Sequence, residues 1–524
     1  MTSTTPVWQR PRTVVVWPER VERIQVPWGA AVAVAALVIG RLLYLHEHLR
    51  PDEGGYLAVG AQWHSGGSSL YGNYWVDRPP LLITIFAFAA RLGGAVPLRL
   101  IGLGAAVVTT VAIAWVAQRL AGRRAATWSA IVAAAWLVSP LAGADEVNGE
   151  LLAAPFLAVG FAAVVHTLTA RSPQSAAAAG VAAGAAGAAA VLVKQNMVDV
   201  FVLAAVLGLL SMRRLGVRRI AHMAASFCAG ALAMTAAVAV WTIGHGTSLR
   251  QVWFAMYRFR LEVGRMQLAG GLQPNDLARR HAMVDLVLLN GMALAAVLTV
   301  LVLGAFVKHD SSEGSTDLVR RHVPIALVVM LVYEVASIAA GRHFFSRYTL
   351  QTVVPLSVGV GLAAVRLPRL GRVVVTMSAV AAMVATLSAS YPSTSNKLRA
   401  GEAIARVSHH GDSIATMNGY PALIYATGLP DPYPYLWMTP EVILDAHSRL
   451  LTATLDGPHA PTWFAASADV LRGAPPRLQR VLAMRYHHVT TLDDKRIYLH
   501  DGLSRAIPAP PRGGTVDLSH KGAS

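Results

Sequence analysis

Charge and cysteine are both scarce in this chain of 524 residues. Only 14% of the residues are Asp, Glu, Lys or Arg, whereas about a quarter is usual for a soluble globular protein. The single cysteine, Cys228, excludes a disulfide within the chain. With 54% hydrophobic residues and a mean hydropathy of +0.47, the composition predicts a membrane protein with many spans.

Several motifs of soluble enzymes are absent as well. The chain contains no HExxH, no paired CxxC, no Walker glycine loop and no Rossmann fingerprint. Nucleotide hydrolysis, and binding of a nucleotide sugar in a Rossmann fold, therefore have no support. Acidic residues number 28 against 45 Lys and Arg, so the net charge is +17. In a membrane protein this excess is typical of cytoplasmic loops beside anionic lipid, and we do not expect a nucleic-acid partner.

Long apolar runs recur as far as residue 391. We therefore predict an all-α polytopic protein of the plasma membrane, with a cytoplasmic segment at 1–26 and a membrane domain at 27–391. The first run is expected to be an uncleaved span. The run 175–193 is almost entirely Ala and Gly, and we place it inside the bundle because small residues allow close helix packing; a channel lining is the alternative. The predicted spans, about eleven, lie near 27–45, 99–119, 125–142, 151–169, 175–193, 197–212, 221–244, 285–307, 323–341, 349–366 and 373–391.

The short apolar run 79–94 decides the sidedness of the chain. If this run lies along the interface instead of crossing, the arginine clusters all fall on cytoplasmic loops. This positive-inside distribution predicts a cytoplasmic N-terminus and an extracytoplasmic C-terminus. Acidic and basic residues then gather in the outer segments, at the membrane boundary, where they are costly unless paired or functional. The outer segments are 46–98, 143–150, 194–196, 245–284 and 341–348.

The sequence changes character after about residue 392. The stretches "PTWFAASADV" and "KRIYLHDG" are typical of strands, and "TPEVILDAHSRLLTATLDG" is typical of one helix. We predict a small extracytoplasmic α/β domain at 392–506. The Pro- and Gly-rich residues 507–524 are expected to form a disordered tail.

An acidic pair, Asp52 and Glu53, follows the first span directly. On an extended or turning segment two adjacent side chains diverge, so one carboxylate could face a substrate hydroxyl while its neighbour orients another group. A carboxylate that accepts the proton of an attacking hydroxyl is a general base. The alternative is a solvated pair of acids on a loop.

Four cations lie in the outer segments: Arg78, Lys194, Arg342 and Arg347. A guanidinium group binds phosphate in a forked geometry, and several cations together could stabilise the charge that develops on a phosphate leaving group. His343 and Tyr348 could hydrogen-bond the same group. The alternatives are interfacial arginines and an aromatic belt. The stretch 252–267 interleaves aromatic residues with arginines, which is typical of an interfacial helix and would also suit an access route for a lipid carrier.

The order of these motifs resembles that of the GT-C glycosyltransferases, in particular the group of protein mannosyltransferases and lipid A aminoarabinose transferases. The matching stretches lie within 50–365 and are "DEGGYLAVGAQWHSGG", "VDRPPL", "NGELLAAPFLAVGF", "VLVKQN" and "GRHFFSRYTLQTVVPL". The high Ala, Val and Arg content and the C-terminal domain look like those of actinobacterial members. The resemblance implies transfer, with inversion, of a mannose- or arabinose-type sugar from a polyprenyl phosphate. The acceptor would be an extracytoplasmic glycan, glycolipid or protein.

The resemblance also implies roles for individual residues. Asp52 matches the catalytic acid of the first outer loop and becomes the expected general base, while Glu53 would orient the acceptor. Either Asp145 or Glu150 would supply the acid of the second outer loop. Relatives often have His where this chain has Arg347, and some bind a divalent metal while others do not, so a metal stays open. Asp77 matches the acid that precedes the cation in this group and would help to orient the substrate. The residues implied beside the donor phosphate are Arg78, Lys194 and Arg342.

Two other classes of function compete with this hypothesis. A transporter or flippase could use the same cations to bind a lipid-linked anion, but it predicts ionisable groups and broken helices near the bilayer midplane. An inactive relative could serve as a scaffold through its outer domain, and it would tolerate the loss of Asp52.

Overall fold

A computed structural model describes residues 27–270, 274–307, 315–388 and 396–509. A helical bundle followed by a small domain with one sheet confirms the predicted fold class. The predicted cytoplasmic segment 1–26 and residues 510–524 of the predicted tail lie outside the described residues. The first helices are α1 (Trp28–Leu42), α2 (Pro51–Ala61), α3 (Pro80–Arg91), α4 (Ala95–Ala121), α5 (Arg123–Val138), α6 (Gly149–Thr169), α7 (Pro173–Val193), α8 (Asp199–Leu215) and α9 (Val217–Gly244).

The second half of the bundle contains two short helical segments that are not α-helices, and both lie beside the site described below. A π-helix spans Phe254–Arg258 and a 3-10 helix spans Ser346–Thr352. The outer segment 245–284, in which a helix was expected at 252–267, is helical over most of its described length. The helices are α10 (Leu249–Trp253), α11 (Phe259–Gly270), α12 (Pro274–Leu289), α13 (Met292–Val307), α14 (Ser315–Gly341), α15 (Val353–Arg366) and α16 (Pro368–Ser388).

Helices occupy every predicted span, but they differ in length. Within the described residues, seven helical stretches are long and apolar enough to cross a membrane, and an eighth is added if α12 and α13, which meet at 62°, are one span. The other three predicted spans correspond to α1, α5 and α8, with 15, 16 and 17 residues, somewhat short of the ~20 that cross the hydrocarbon core upright. The chain is a multi-pass membrane protein, and the count of about eleven spans stays a prediction.

The run 79–94 forms the 12-residue helix α3. At 1.5 Å per residue it is about 18 Å long, too short to cross about 30 Å of hydrocarbon. Pro80 stands at its first position, where proline is favourable because that N–H has no helical partner. The sidedness built on this segment stays a prediction.

The Ala- and Gly-rich helix α7 packs between α6 and α9. The approach is so close that a Cβ on Gly184 would lie 1.8 Å from the Phe227 carbonyl oxygen. Only glycine fits such a contact, so the small residues of α7 serve close packing inside the bundle.

The C-terminal domain carries a four-stranded sheet in the order β1-β2-β4-β3, in which β1 and β2 are parallel and the other pairs antiparallel. The two stretches predicted as strands form β2 and β4. The stretch predicted as one helix is two helices, because Asp445 accepts hydrogen bonds from the N–H groups of Leu450 and Leu451 and so starts a new helix. The elements are α17 (Asn396–Val407), β1 (Ile414–Thr416), α18 (Pro421–Thr427), α19 (Met438–Leu444), α20 (Arg449–Asp456), β2 (Trp463–Ser467), α21 (Ala468–Arg472), α22 (Pro476–Arg485), β3 (Tyr486–Leu492) and β4 (Lys495–His500).

Candidate active site

The acidic pair lies in the first turn of α2, not on an extended segment. Pro51 begins the helix, and the Glu53 carboxylate accepts a hydrogen bond of 2.8 Å from the Arg50 backbone N–H. Acidic side chains are favoured here because the N-terminus of a helix carries a partial positive charge. Successive side chains on a helix point about 100° apart, so Asp52 and Glu53 face different surroundings.

Glu53 is fully buried and supports the outer loop 143–150. Its carboxylate lies 2.9 Å from the Arg99 guanidinium and accepts a hydrogen bond of 2.7 Å from the Val147 backbone N–H. Burial raises the pKa of Glu53, although Arg99 and the backbone donors act against this. Both carboxylate oxygens therefore have partners within the protein, and a role for Glu53 in orienting an acceptor stays a prediction.

Asp52 points to a different cluster, in which one guanidinium joins two carboxylates. Arg347 Nη2 lies 2.8 Å from Asp52 Oδ2, and Arg347 Nη1 lies 3.1 Å from Glu146 Oε1. Arg347 comes from the 3-10 helix before α15, and Glu146 from the loop before α6. The sequence argument chose Asp145 and Glu150 from that loop and passed over Glu146, which shares a cation with Asp52.

The two carboxylates on Arg347 differ in their pKa values. Burial raises the pKa of Asp52, but Arg347, Arg78 and a hydrogen bond from Trp437 outweigh it, so the pKa falls below its ordinary value. Burial raises the pKa of Glu146 to about 7. Arg347 offsets only part of this increase, and the neighbouring acids add to it. Asp52 is therefore a carboxylate at neutral pH, while Glu146 titrates in that range.

The second oxygen of Asp52 is held by the C-terminal domain. Trp437 Nε1 donates a hydrogen bond of 3.0 Å to Asp52 Oδ1, and its ring stacks on Tyr56 at a centroid distance of 5.2 Å. The contact depends on Gly55 of α2, where a Cβ would lie 2.5 Å from both the Pro421 and Trp437 side chains. The glycines of the "DEGG" stretch thus let the C-terminal domain reach the acid. No signal in the sequence pointed to Trp437.

Arg78 belongs to a neighbouring group of charges around Asp77. Arg78 Nη1 lies 2.8 Å from Asp77 Oδ1, and Arg260 Nη2 lies 2.7 Å from Asp77 Oδ2. Arg78 Nε also donates a hydrogen bond of 2.8 Å to the hydroxyl of Tyr56, the residue whose ring stacks on Trp437. Arg260 was not selected from the sequence, although its interleaved Arg and aromatic stretch was noted.

Lys194 completes the set of cations. It ends α7 and forms an ion pair with Glu150 at the start of α6, and its Nζ lies 4.6 Å from the centre of the Tyr348 ring. Burial lowers the pKa of Lys194, although Glu150 opposes the shift. Tyr348 follows Arg347 in the chain, so Lys194 lies beside the segment that carries the cation of the Asp52 cluster.

Three of the predicted site residues make their contacts elsewhere. The Asp145 carboxylate pairs with Arg50 at 2.6 Å. His343 receives a hydrogen bond of 2.7 Å from Gln267 and lies 3.8 Å from Asp276, on the side of α11 and α12. Arg342 has a positive φ of 54°, and in the described part of the chain no ion pair joins its side chain to the acids named above.

A divalent metal fits this arrangement poorly. The positively charged Arg347 guanidinium stands between Asp52 and Glu146, where a metal bridging the two carboxylates would lie. Among the described residues, no group of three or more His, Cys, Asp or Glu side chains is placed to hold a metal ion. We derive no step through a metal.

The comparisons with known proteins concern the fold. No protein-family model and no curated protein matches the chain. Among solved structures, the oligosaccharyltransferase of Archaeoglobus fulgidus matches with a TM-score of 0.53 and 10% identity, over 90% of this chain and 73% of that one. ArnT of Cupriavidus metallidurans matches with a TM-score of 0.48 and 14% identity, over 89% and 97%. Arabinosyltransferase EmbB of Mycobacterium smegmatis matches with a TM-score of 0.42 and 15% identity, over 68% and 32%.

The match to the oligosaccharyltransferase runs through both the helical bundle and residues beyond it, since 90% of this chain is covered. At this low identity the match concerns the fold and leaves the residues of the site unassigned. The protein therefore has the fold of the Archaeoglobus fulgidus oligosaccharyltransferase, as the resemblance to the GT-C glycosyltransferases implied.

Proposed function

We propose that this protein is a glycosyltransferase that moves a sugar from a polyprenyl-phosphate carrier to an acceptor hydroxyl on the extracytoplasmic side of the plasma membrane. The observation that carries the proposal is the carboxylate of Asp52, which is ionised at neutral pH, is 23% exposed and lies 2.8 Å from Arg347. Arg78, Arg260 and Lys194 are held by acids on the neighbouring segments. The fold supports it, because the Archaeoglobus fulgidus oligosaccharyltransferase AglB of similar fold was solved with a dolichol-phosphate and an inhibitory peptide.

In the proposed reaction Asp52 acts on the acceptor hydroxyl and the cations act on the leaving phosphate. The acceptor hydroxyl replaces the Trp437 N–H at Asp52 Oδ1 and gives its proton to that carboxylate. The hydroxyl oxygen attacks the anomeric carbon from the side opposite the phosphate, so the new C–O bond forms as the bond to phosphate breaks, with inversion. The leaving phosphate is held by Arg78, Arg260 and Lys194, whose positive charges stabilise the developing negative charge.

The nature of the sugar and the sidedness belong to the proposal as well. A mannose- or arabinose-type sugar follows from the resemblance of the loop motifs, and the acceptor is a glycan, glycolipid or protein. The cytoplasmic N-terminus and extracytoplasmic C-terminal domain follow from the arginine distribution. The short helix α3 supports that topology, because its 12 residues lie flat more readily than they cross.

A transfer assay with Asp52→Asn tests this function. Purified protein is incubated with polyprenyl phosphates carrying radiolabelled mannose or arabinose and with a cell-envelope extract, and label in the acceptor fraction is counted. We expect wild-type protein to transfer one of the sugars and Asp52→Asn to lose about 10²–10⁴-fold in rate. Asp469→Asn is the matched control, because its carboxylate is 84% exposed in the C-terminal domain. Full activity of Asp52→Asn would refute the assignment of the base.

One observation favours a second candidate, transport of a lipid-linked anion. The helices α12 and α13 meet at 62°, and the acids Asp199 and Glu334 are fully buried between α8 and α14. Broken helices and buried acids are found in transporters. A vesicle assay separates the two candidates: a transporter moves the labelled lipid to the other leaflet without passing label to an acceptor, and it keeps this activity in Asp52→Asn.

A further inference from the structure

A cavity of about 810 Å³ is lined by residues that lie close in sequence to those of the charged site. Three separate parts of the chain form its wall: the outer segment between α2 and α3, the stretch from α10 through the π-helix, and the C-terminal domain. The side chains that carry the argument are four aromatic rings and two arginines: Trp75, Trp253, Phe254, Tyr435, Arg250 and Arg258.

In each of the three parts, the residue two positions after a cavity-lining residue belongs to the charged site. In the outer segment Trp75 lines the cavity and Asp77 holds Arg78. In the C-terminal domain Tyr435 lines the cavity and Trp437 bonds Asp52. The two segments are joined directly, because the Trp75 N–H donates a hydrogen bond of 3.0 Å to the Pro434 carbonyl oxygen.

The third part repeats this spacing, with Arg258 at the cavity and Arg260 on Asp77. Two residues of chain span at most about 7 Å. The backbone of the cavity wall therefore lies within about 7 Å of the backbone that carries Asp77, Trp437 and Arg260. The cavity and the charged site share these three segments of chain.

The charged residues that line the cavity are both positive. None of the residues that line it is acidic. Among the described residues no carboxylate forms an ion pair with Arg250 or Arg258, whereas Arg78, Arg260 and Arg347 are all paired. Two exposed guanidinium groups with no carboxylate partner attract anions and can grip a phosphate or carboxylate by two hydrogen bonds.

The aromatic residues favour a saccharide as the neutral part of the ligand. Flat rings such as Tyr435 and Trp253, of which the latter is 59% exposed, offer broad apolar faces with a polar edge. Such faces suit a sugar ring that has C–H groups on its faces and hydroxyls around its rim. A bare hydrocarbon chain would leave the two guanidinium groups without a partner.

We propose that this cavity binds the acceptor and that the acceptor is an anionic saccharide. The inference rests on the proposed function and adds the chemical class of its second substrate. The anionic groups bind Arg250 and Arg258, the sugar rings stack on Trp253 and Tyr435, and the chain end is directed toward Asp52.

A binding measurement tests the inference without using activity. The probe is a fluorescently labelled, phosphorylated mannooligosaccharide, compared with the same oligosaccharide after phosphatase treatment, on full-length protein in lipid nanodiscs. Wild-type protein should bind the phosphorylated probe about tenfold more tightly or better, the gain expected of a charge-assisted hydrogen bond. The double variant Arg250→Gln/Arg258→Gln should lose that preference. Arg265→Gln, an exposed arginine of α11 outside the cavity, should keep it.

Equal affinity of wild-type protein for the two probes would overturn the inference, and so would an unchanged preference in the double variant. Steady-state transfer then identifies which substrate the cavity serves. Arg258→Gln should raise the KM for the acceptor about tenfold; a rise in the KM for the polyprenyl-phosphate sugar instead would assign the cavity to the carrier. Absence of transfer in wild-type protein would refute the proposed function, while the binding result would still decide the ligand class.

Discussion

Glu146→Gln removes the acid that shares Arg347 with Asp52 and should change how stability depends on pH. Burial raises the pKa of Glu146 from 4.5 to about 7 in the folded protein. Such a change corresponds to about 3 kcal/mol, because each factor of ten in acidity is about 1.4 kcal/mol. The side chain is 12% exposed, so solvent screens this energy only weakly.

The sign follows from proton binding. Between pH 4.5 and 7 the folded protein keeps the Glu146 proton that the unfolded chain has released. Stability of the wild type therefore falls as the pH rises through this window and levels off above it. Glutamine has the same shape but no charge, so its stability does not depend on this proton. The unfolding free energy of the variant relative to that of the wild type should therefore increase with rising pH, by up to about 3 kcal/mol.

Thermal unfolding of detergent-purified protein at pH 5, 6, 7 and 8 measures this difference. The melting temperature of Glu146→Gln minus that of the wild type should rise with pH by a few degrees. Asp469→Asn is the control, because its carboxylate is 84% exposed and should give a flat difference. A flat difference for Glu146→Gln as well would refute the reasoning, since it would show that Glu146 is not held in a buried environment beside Arg347.

Three further substitutions follow from the same geometry. Trp437→Phe keeps a ring for stacking but removes the donor to Asp52, so the pKa of that acid should rise. The acid limb of kcat/KM against pH should then move upward, and an unmoved limb would exclude the hydrogen bond in the protein without bound substrate. Gly55→Ala places a Cβ 2.5 Å from two side chains of the C-terminal domain and should cost about 1–3 kcal/mol and reduce transfer, whereas Gly104→Ala, which meets no atom within 4 Å, should be harmless. Glu53→Gln leaves its buried arginine partner unpaired and should lower the unfolding free energy by about 3–5 kcal/mol, seen as loss of folded protein; normal yield and melting temperature would contradict the structural role.

The fold was largely predictable because hydropathy marks each buried helix. The positions of the spans and the change to an α/β domain near residue 392 were read from composition. The break of α12 and α13 and the π-helix were not, because neither interrupts the apolar or amphipathic pattern. The helix break at Asp445 depends on one carboxylate that could equally have faced solvent.

The site was predictable in part for the same reason. Asp52, Arg78, Lys194 and Arg347 all stand at helix ends in the outer segments, and the structure brings them together. The burial of Glu53 was not predictable, because its position next to Asp52 in the sequence does not show that the helix turns its side chain into the core.

Residues supplied from distant parts of the chain could not be ranked by sequence alone. Glu146 lies beside two other acids, and only the position of Arg347 distinguishes it from them. Arg260 is one of several arginines in an amphipathic stretch, and only its 2.7 Å contact with Asp77 sets it apart. Trp437 belongs to a domain whose docking onto α2 has no local signature.

The hydrogen bond between Asp52 and Trp437 joins residues 385 positions apart. The ribosome therefore makes the acid early and the indole late, after every helix of the bundle. During most of its own synthesis the protein holds a carboxylate without its indole partner, and the docking surface for Gly54 and Gly55 has not yet been made. Completion of the site thus depends on completion of the C-terminal domain, so a chain that ends before Trp437 contains every helix of the bundle but lacks the indole on Asp52.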